Sequence, residues 1–146
     1  MTPELEALAR RAVSWPSWRW MPGMRNGRDG SRYLGDGQWA WSDPYRHHAR
    51  GVEPDDWPDF SDAATKGCLL ALTREVRGEP AFHVRLVERP GRRSPLRWNA
   101  YPDGWIRRAP IARCDTEADA LVLALEMGPA TPHRPAGYDF PSWYPT

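Results

Sequence analysis

The segment from Arg85 to Arg113 holds the residues best suited to chemistry. Arg85, Arg97, Arg107 and Arg108 lie among Trp98, Tyr101 and Trp105, and only Glu88 and Asp103 oppose their charge. A guanidinium fork pairs with phosphate through two parallel hydrogen bonds, and an indole face stacks on a flat ring. Stacking of a base on an aromatic side chain contributes about 1–3 kcal/mol. This combination fits a binding site for a nucleotide-type ligand, with Arg97, Trp98, Trp105, Arg107 and Arg108 as its contact residues. The plainer alternative packs Trp98 or Trp105 under helices and leaves the arginines in solvent.

Other reactive residue types lack a productive pattern. His47 and His48 are adjacent, so on an extended loop they point opposite ways. No third ligand stands at metal-site spacing, and His83 and His133 are far off in sequence. The run Glu53, Asp55, Asp56 and Asp59 lacks the spacing and the glycine of a calcium loop. It reads as a solvated acidic patch whose charge favours the dipole of the helix after it. Cys68 falls on an apolar helical stripe and reads as a small core hydrophobe. Cys114 abuts a helix N-terminus, which stabilises a thiolate, while Asp115 beside it opposes that effect. The glycine turns Asn26-Gly27-Arg28-Asp29-Gly30 and Gly35-Asp36-Gly37 match neither a phosphate loop nor a dinucleotide fingerprint. No catalytic residue, metal or cofactor is expected.

The composition bounds the protein class. A chain of 146 residues fits one domain. Nine tryptophans and nineteen arginines, against the single Lys66, supply groups that both bury well and recognise flat or anionic partners. The net charge of +1 gives no bulk attraction to nucleic acid or membrane. Nucleic acid stays open as a partner through the local basic segment. No stretch approaches the roughly 18 apolar residues of a membrane span. The N-terminal residues form an amphipathic helical pattern and not a signal peptide. Two cysteines give no disulfide framework. These features predict a cytoplasmic protein with reduced thiols.

Three helices must position the candidate residues. The first starts with Thr2 as N-cap and Pro3 at its first position, repeats Leu5, Leu8, Ala9, Ala12 and Val13, and stops by Pro16. The second is capped by Asp62 and stopped by Gly78 and Pro80. Its predicted stripe is Ala64, Cys68, Leu69, Leu72 and Val76, with Thr65, Lys66, Arg74 and Arg77 largely outside it. The third runs from about Asp115 to Met127, capped by Asp115 or Thr116 and ended by Gly128. Strands are predicted over 81–87, 96–101 and 105–108, an antiparallel meander that turns at Pro102-Asp103-Gly104. A second hairpin joins 31–34 to 38–41. The stretch 42–60 reads as a long loop.

These elements predict a single α+β domain over residues 1–129, with antiparallel hairpins packed on two or three helices. Residues 130–146 form a tail rich in proline and aromatics. Trp15, Trp18 and Trp20 are expected to anchor the first helix. Trp39 and Trp41, two apart in a strand, share one face and form a plausible oligomer or partner surface.

Two sequence blocks carry a resemblance. Trp18-Arg19-Trp20-Met21-Pro22-Gly23-Met24 and the run Pro58-Asp59-Phe60-Ser61-Asp62-Ala63-Ala64-Thr65-Lys66-Gly67-Cys68-Leu69-Leu70-Ala71-Leu72 resemble blocks in small proteins encoded by bacteriophages and prophages. Thr116-Glu117-Ala118-Asp119-Ala120-Leu121 is similar to a third block. Ala63 departs from the proline usual after the capping aspartate. The resemblance implies a phage accessory protein. With the basic, aromatic segment, it leads to an expected non-enzymatic role in counter-defence. The partner is then a nucleotide-type immune signal or a host defence protein. The alternatives are a small metal- or Cys-dependent hydrolase or nuclease, and a nucleic-acid-binding protein.

Overall fold

A computed structural model describes residues 1–41, 49–88, 96–102 and 110–129. The order of elements is α1 (Pro3–Val13), β1 (Arg32–Gly35), β2 (Gln38–Ala40), β3 (Ala49–Gly51), α2 (Ala63–Arg77), β4 (His83–Val87), β5 (Arg97–Tyr101), β6 (Ala112–Cys114) and α3 (Glu117–Glu126). The protein is an α+β mixture of three helices and two three-stranded antiparallel sheets, ordered β1-β2-β3 and β4-β5-β6. The predicted tail, 130–146, lies outside the described residues, as do His47, His48 and the strand expected at 105–108.

Local chemistry sets each helix boundary. Thr2 Oγ1 accepts a hydrogen bond from the Leu5 N–H at 3.3 Å, and Pro3 begins the helix where its missing N–H costs nothing. Asp62 Oδ2 accepts from the Thr65 N–H at 2.9 Å. At the other end of α2, Gly78 adopts φ +66°. The Glu79 N–H then reaches Arg74 O and the Gly78 N–H reaches Glu75 O, a Schellman closure that uses two otherwise orphaned carbonyls. Thr116 caps α3 reciprocally: its Oγ1 accepts from the Asp119 N–H at 3.0 Å and donates to Asp119 Oδ2 at 2.7 Å. Of the two predicted caps for α3, the threonine is the one used.

The β1–β2 hairpin turns through Asp36 and Gly37, with φ of +54° and +75°. Two positive φ values in a two-residue loop match the right-handed twist of the strands, and Asp-Gly is a sequence that tolerates them. β3 falls in the stretch 42–60 that the sequence reads as loop. It pairs antiparallel with β2 over Gln38↔Gly51, Trp39↔Arg50 and Ala40↔Ala49.

The core lies between the helices and the β4–β5–β6 sheet. Leu8, Ala9 and Ala12 of α1, Leu69 and Leu72 of α2, and Leu121, Val122 and Leu125 of α3 meet Phe60, Phe82, Ala100 and Ala112. The buried row of α2 differs from the predicted stripe. Ala64 is exposed, whereas Thr65, Leu69, Leu72, Thr73 and Arg77 are buried. The polar members of that row all find partners, which is what permits their burial. Thr65 Oγ1 accepts from the Arg25 N–H at 2.8 Å, Thr73 Oγ1 donates to Leu69 O at 2.8 Å, and Arg77 pairs with Glu79 at 2.8 Å.

The acidic run also departs from expectation. Asp56 and Asp59 are buried rather than solvated. Arg50 bridges Asp29 and Asp56, and the Asn26 Nδ2 donates to Asp56 Oδ1 at 2.8 Å. Arg28 reaches out to Glu53 at 2.5 Å and Asp55 at 2.7 Å. Gly27 lies under the Trp57 ring and donates its N–H to Trp57 O at 2.8 Å. This polar lattice joins β3 and the residues before α2 to the turn at 26–29 that precedes β1. A bidentate pair from Arg32 to Asp62, at 2.7 and 2.8 Å, ties the β1–β2 hairpin to the start of α2.

Candidate functional site

The β4–β5–β6 sheet presents two chemically different faces. Its register pairs His83↔Tyr101, Val84↔Ala100, Arg85↔Asn99 and Leu86↔Trp98, then Trp98↔Cys114, Asn99↔Arg113 and Ala100↔Ala112. Directly opposed residues share a face, and successive residues alternate. Val84, Trp98, Ala100, Ala112 and Cys114 therefore share the face that packs into the core. The opposite face carries His83, Arg85, Arg97, Asn99, Tyr101 and Arg113.

Helix α3 packs on all three strands and covers the Trp98 face. On the other face, Arg85, Arg97 and Arg113 are exposed. Arg85 and Arg113 make no ion pair among the described residues. They flank Asn99 across the sheet, so their Cα atoms stand two strand spacings, about 10 Å, apart. Arg97 lies two residues from Asn99 along β5, and its Nη1 meets Asp115 Oδ1 at 2.6 Å.

The middle of this face is polar and closed. Asn99 is only 8% exposed. Its Nδ2 donates to Tyr101 Oη at 3.1 Å, while its buried Oδ1 has no hydrogen-bond partner among the described residues. An orphaned acceptor of this kind costs about 1–3 kcal/mol. Beside it, Tyr101 and His83 stack with ring centroids 5.3 Å apart and planes inclined by 20°.

The predicted contact residues are thereby redistributed. Arg97 lies on the basic face. Trp98 does not: it is half-buried on the opposite side, against the core. Trp105, Arg107 and Arg108 lie outside the described residues, as do Asp103 and Gly104 of the expected turn. Sequence reasoning missed Asn99 and Arg113 and gave His83 no part. The signal that could have found them is the parity of positions 97, 99 and 101, which puts an arginine, an amide and a phenol on one side of a strand.

Trp39 is also moved from its expected place. It is fully buried, with Trp20 and Tyr33 ring centroids at 4.7 and 5.3 Å, so it offers no partner surface. Its backbone alternates as expected, but the loop Trp18-Arg19-Trp20 folds over it and closes that side. Trp41 is half-buried just beyond β2.

The two thiols are poorly suited to nucleophilic work. Burial pushes the Cys114 thiol up, and Asp119 and Asp115 push it further. Burial and then Asp62 raise Cys68. Among the described residues no three His, Cys, Asp or Glu side chains converge to hold a metal ion. No helix among those residues is long and apolar enough to cross a membrane. Compared with known proteins, the chain matches no family model, no curated protein and no solved structure.

Proposed function

We propose that this is a non-enzymatic binding protein that takes up a nucleotide-type anion on the outer face of the β4–β5–β6 sheet. The observation that carries the reading is the row Arg85–Asn99–Arg113, two arginines that make no ion pair among the described residues, on either side of a buried amide. Arginine forks match phosphate oxygens, and the Tyr101–His83 stack supplies a flat platform beside them. Tight binding needs no chemistry, which agrees with thiols held protonated by burial and nearby carboxylates. The resemblance to phage-encoded proteins favours counter-defence in the cytoplasm of a bacterial host, by sequestering a nucleotide immune signal.

The test is to purify the protein from cells with an active defence system, denature it, and analyse what is released by mass spectrometry. A nucleotide released intact, and lost from the Arg85→Ala/Arg113→Ala double variant, supports the reading. A stoichiometric host protein without a nucleotide replaces sequestration by occlusion of that protein. Turnover of phosphodiesters on addition of a divalent metal overturns the non-enzymatic assignment.

A further inference from the structure

We infer that Asn99 selects the ligand by its base, accepting a hydrogen bond from an N–H group on the base edge. The inference rests on the nucleotide reading of the sheet face and assigns that face its specificity. Asn99 has two polar ends with different fates. Its amide nitrogen is engaged with Tyr101 Oη, whereas Oδ1 is shut away without a donor among the described residues. Native proteins hold few such atoms, because each forfeits the hydrogen bonds that water would supply. The site thus asks for a donor.

A phosphate group cannot answer that demand, since its oxygens accept hydrogen bonds. The arginines can only donate, so phosphate belongs to Arg85 and Arg113. A base differs, because adenine and cytosine carry exocyclic amines. A base lying against the Tyr101 ring is one alternate position along β5 from Asn99, about 7 Å by strand rise. Its edge can then reach the amide while its phosphate reaches an arginine. Oδ1 is closed to solvent, so the side chains beside it must part to admit the base edge. Arg85 and Arg113, directly opposite Asn99 in the two ladders, are exposed and hold no ion pair among the described residues.

Isothermal titration tests the assignment with two ligands, adenosine 5′-monophosphate and purine riboside 5′-monophosphate, which lacks the exocyclic amine. The wild-type protein should bind the first about ten-fold more tightly, the worth of one buried hydrogen bond. Asn99→Leu should melt at an unchanged or higher temperature and bind both ligands alike. Equal wild-type affinities, or discrimination that survives in Asn99→Leu, overturn the role of Asn99. In either case, weakening of both ligands by Arg113→Ala leaves the sheet-face reading standing. Failure of both nucleotides to bind the wild-type protein overturns the assignment and the nucleotide reading together.

Discussion

Arg50 grips Asp56 through both carboxylate oxygens, Nη1 to Oδ2 at 2.9 Å and Nη2 to Oδ1 at 2.8 Å. The carboxylate is buried and receives two further hydrogen bonds, from the Asn26 amide and the Glu53 N–H, both at 2.8 Å. Burial alone would raise its pKa. Arg50, the Glu53 N–H and Asn26 outweigh that and hold it at about 2. The same pairing, with Asp29 as second partner, raises the Arg50 guanidinium.

This pair predicts acid lability. A carboxyl with a depressed folded-state pKa stabilises the fold fully above its ordinary value and loses that contribution as pH falls through the folded-state value. The window is therefore about pH 4 down to about pH 2, and the loss is about 2 kcal/mol. Urea unfolding of the wild type across that range should show the decline. Asp56→Asn should be less stable at pH 7 and should lose less stability on acidification. Equal acid slopes for the two proteins would show that Asp56 is not responsible.

Two glycines should respond oppositely to alanine. A Cβ at Gly27 would stand 1.7 Å from Trp57 Cζ3, inside the packed core. Gly27→Ala must displace that ring and should cost about 3 kcal/mol, the upper end of overpacking penalties. Gly67 sits mid-way along α2, exposed, with open space around it. Gly67→Ala should stabilise by about 0.5–1 kcal/mol through helix propensity. Denaturation midpoints of the two variants read both signs directly.

Trp39 makes a third prediction. Its full burial among Trp20 and Tyr33 means that Trp39→Ala should lose about 3–5 kcal/mol, as large-to-small core changes do. A surface role would instead change the association state and leave stability intact. Analytical ultracentrifugation beside a urea curve separates the two.

The sequence revealed the parts of this fold that are decided locally. Thr2, Asp62 and Gly78 mark helix ends because a cap is settled within a few residues of chain. The Asp36-Gly37 turn is equally local. Non-local pairing escaped. β3 is three residues long with no alternation, and only its ladder to β2 makes it a strand. Asp56 is buried because Asn26, thirty residues earlier, donates to it. Thr65 and Arg77 are buried because Arg25 and Glu79 satisfy them. The candidate site was half visible for the same reason. Arg97 stood out by type. The face of Trp98 is set by parity, since it shares a side with Ala100 and not with Arg97, and residue type alone does not say which side of the strand a helix covers.

The last prediction concerns Asp115, the one acidic residue among the described residues that is paired to the basic face. Its bond to Arg97 is solvent-exposed, with side chains 49% and 76% accessible. Such a pair contributes little to stability, about 0–1 kcal/mol, because solvent screens it and two long side chains must be held still. It does neutralise one of the three described arginines on the face. Asp115→Asn should therefore leave the denaturation midpoint nearly unchanged while strengthening nucleotide binding several-fold at low salt. Added salt should shrink that gain, since exposed charges separated by more than about 8–10 Å are largely screened at physiological ionic strength. Titration of a nucleotide at low and at physiological ionic strength checks both points. Unchanged affinity at low salt would mean that Arg97 takes no part in the site.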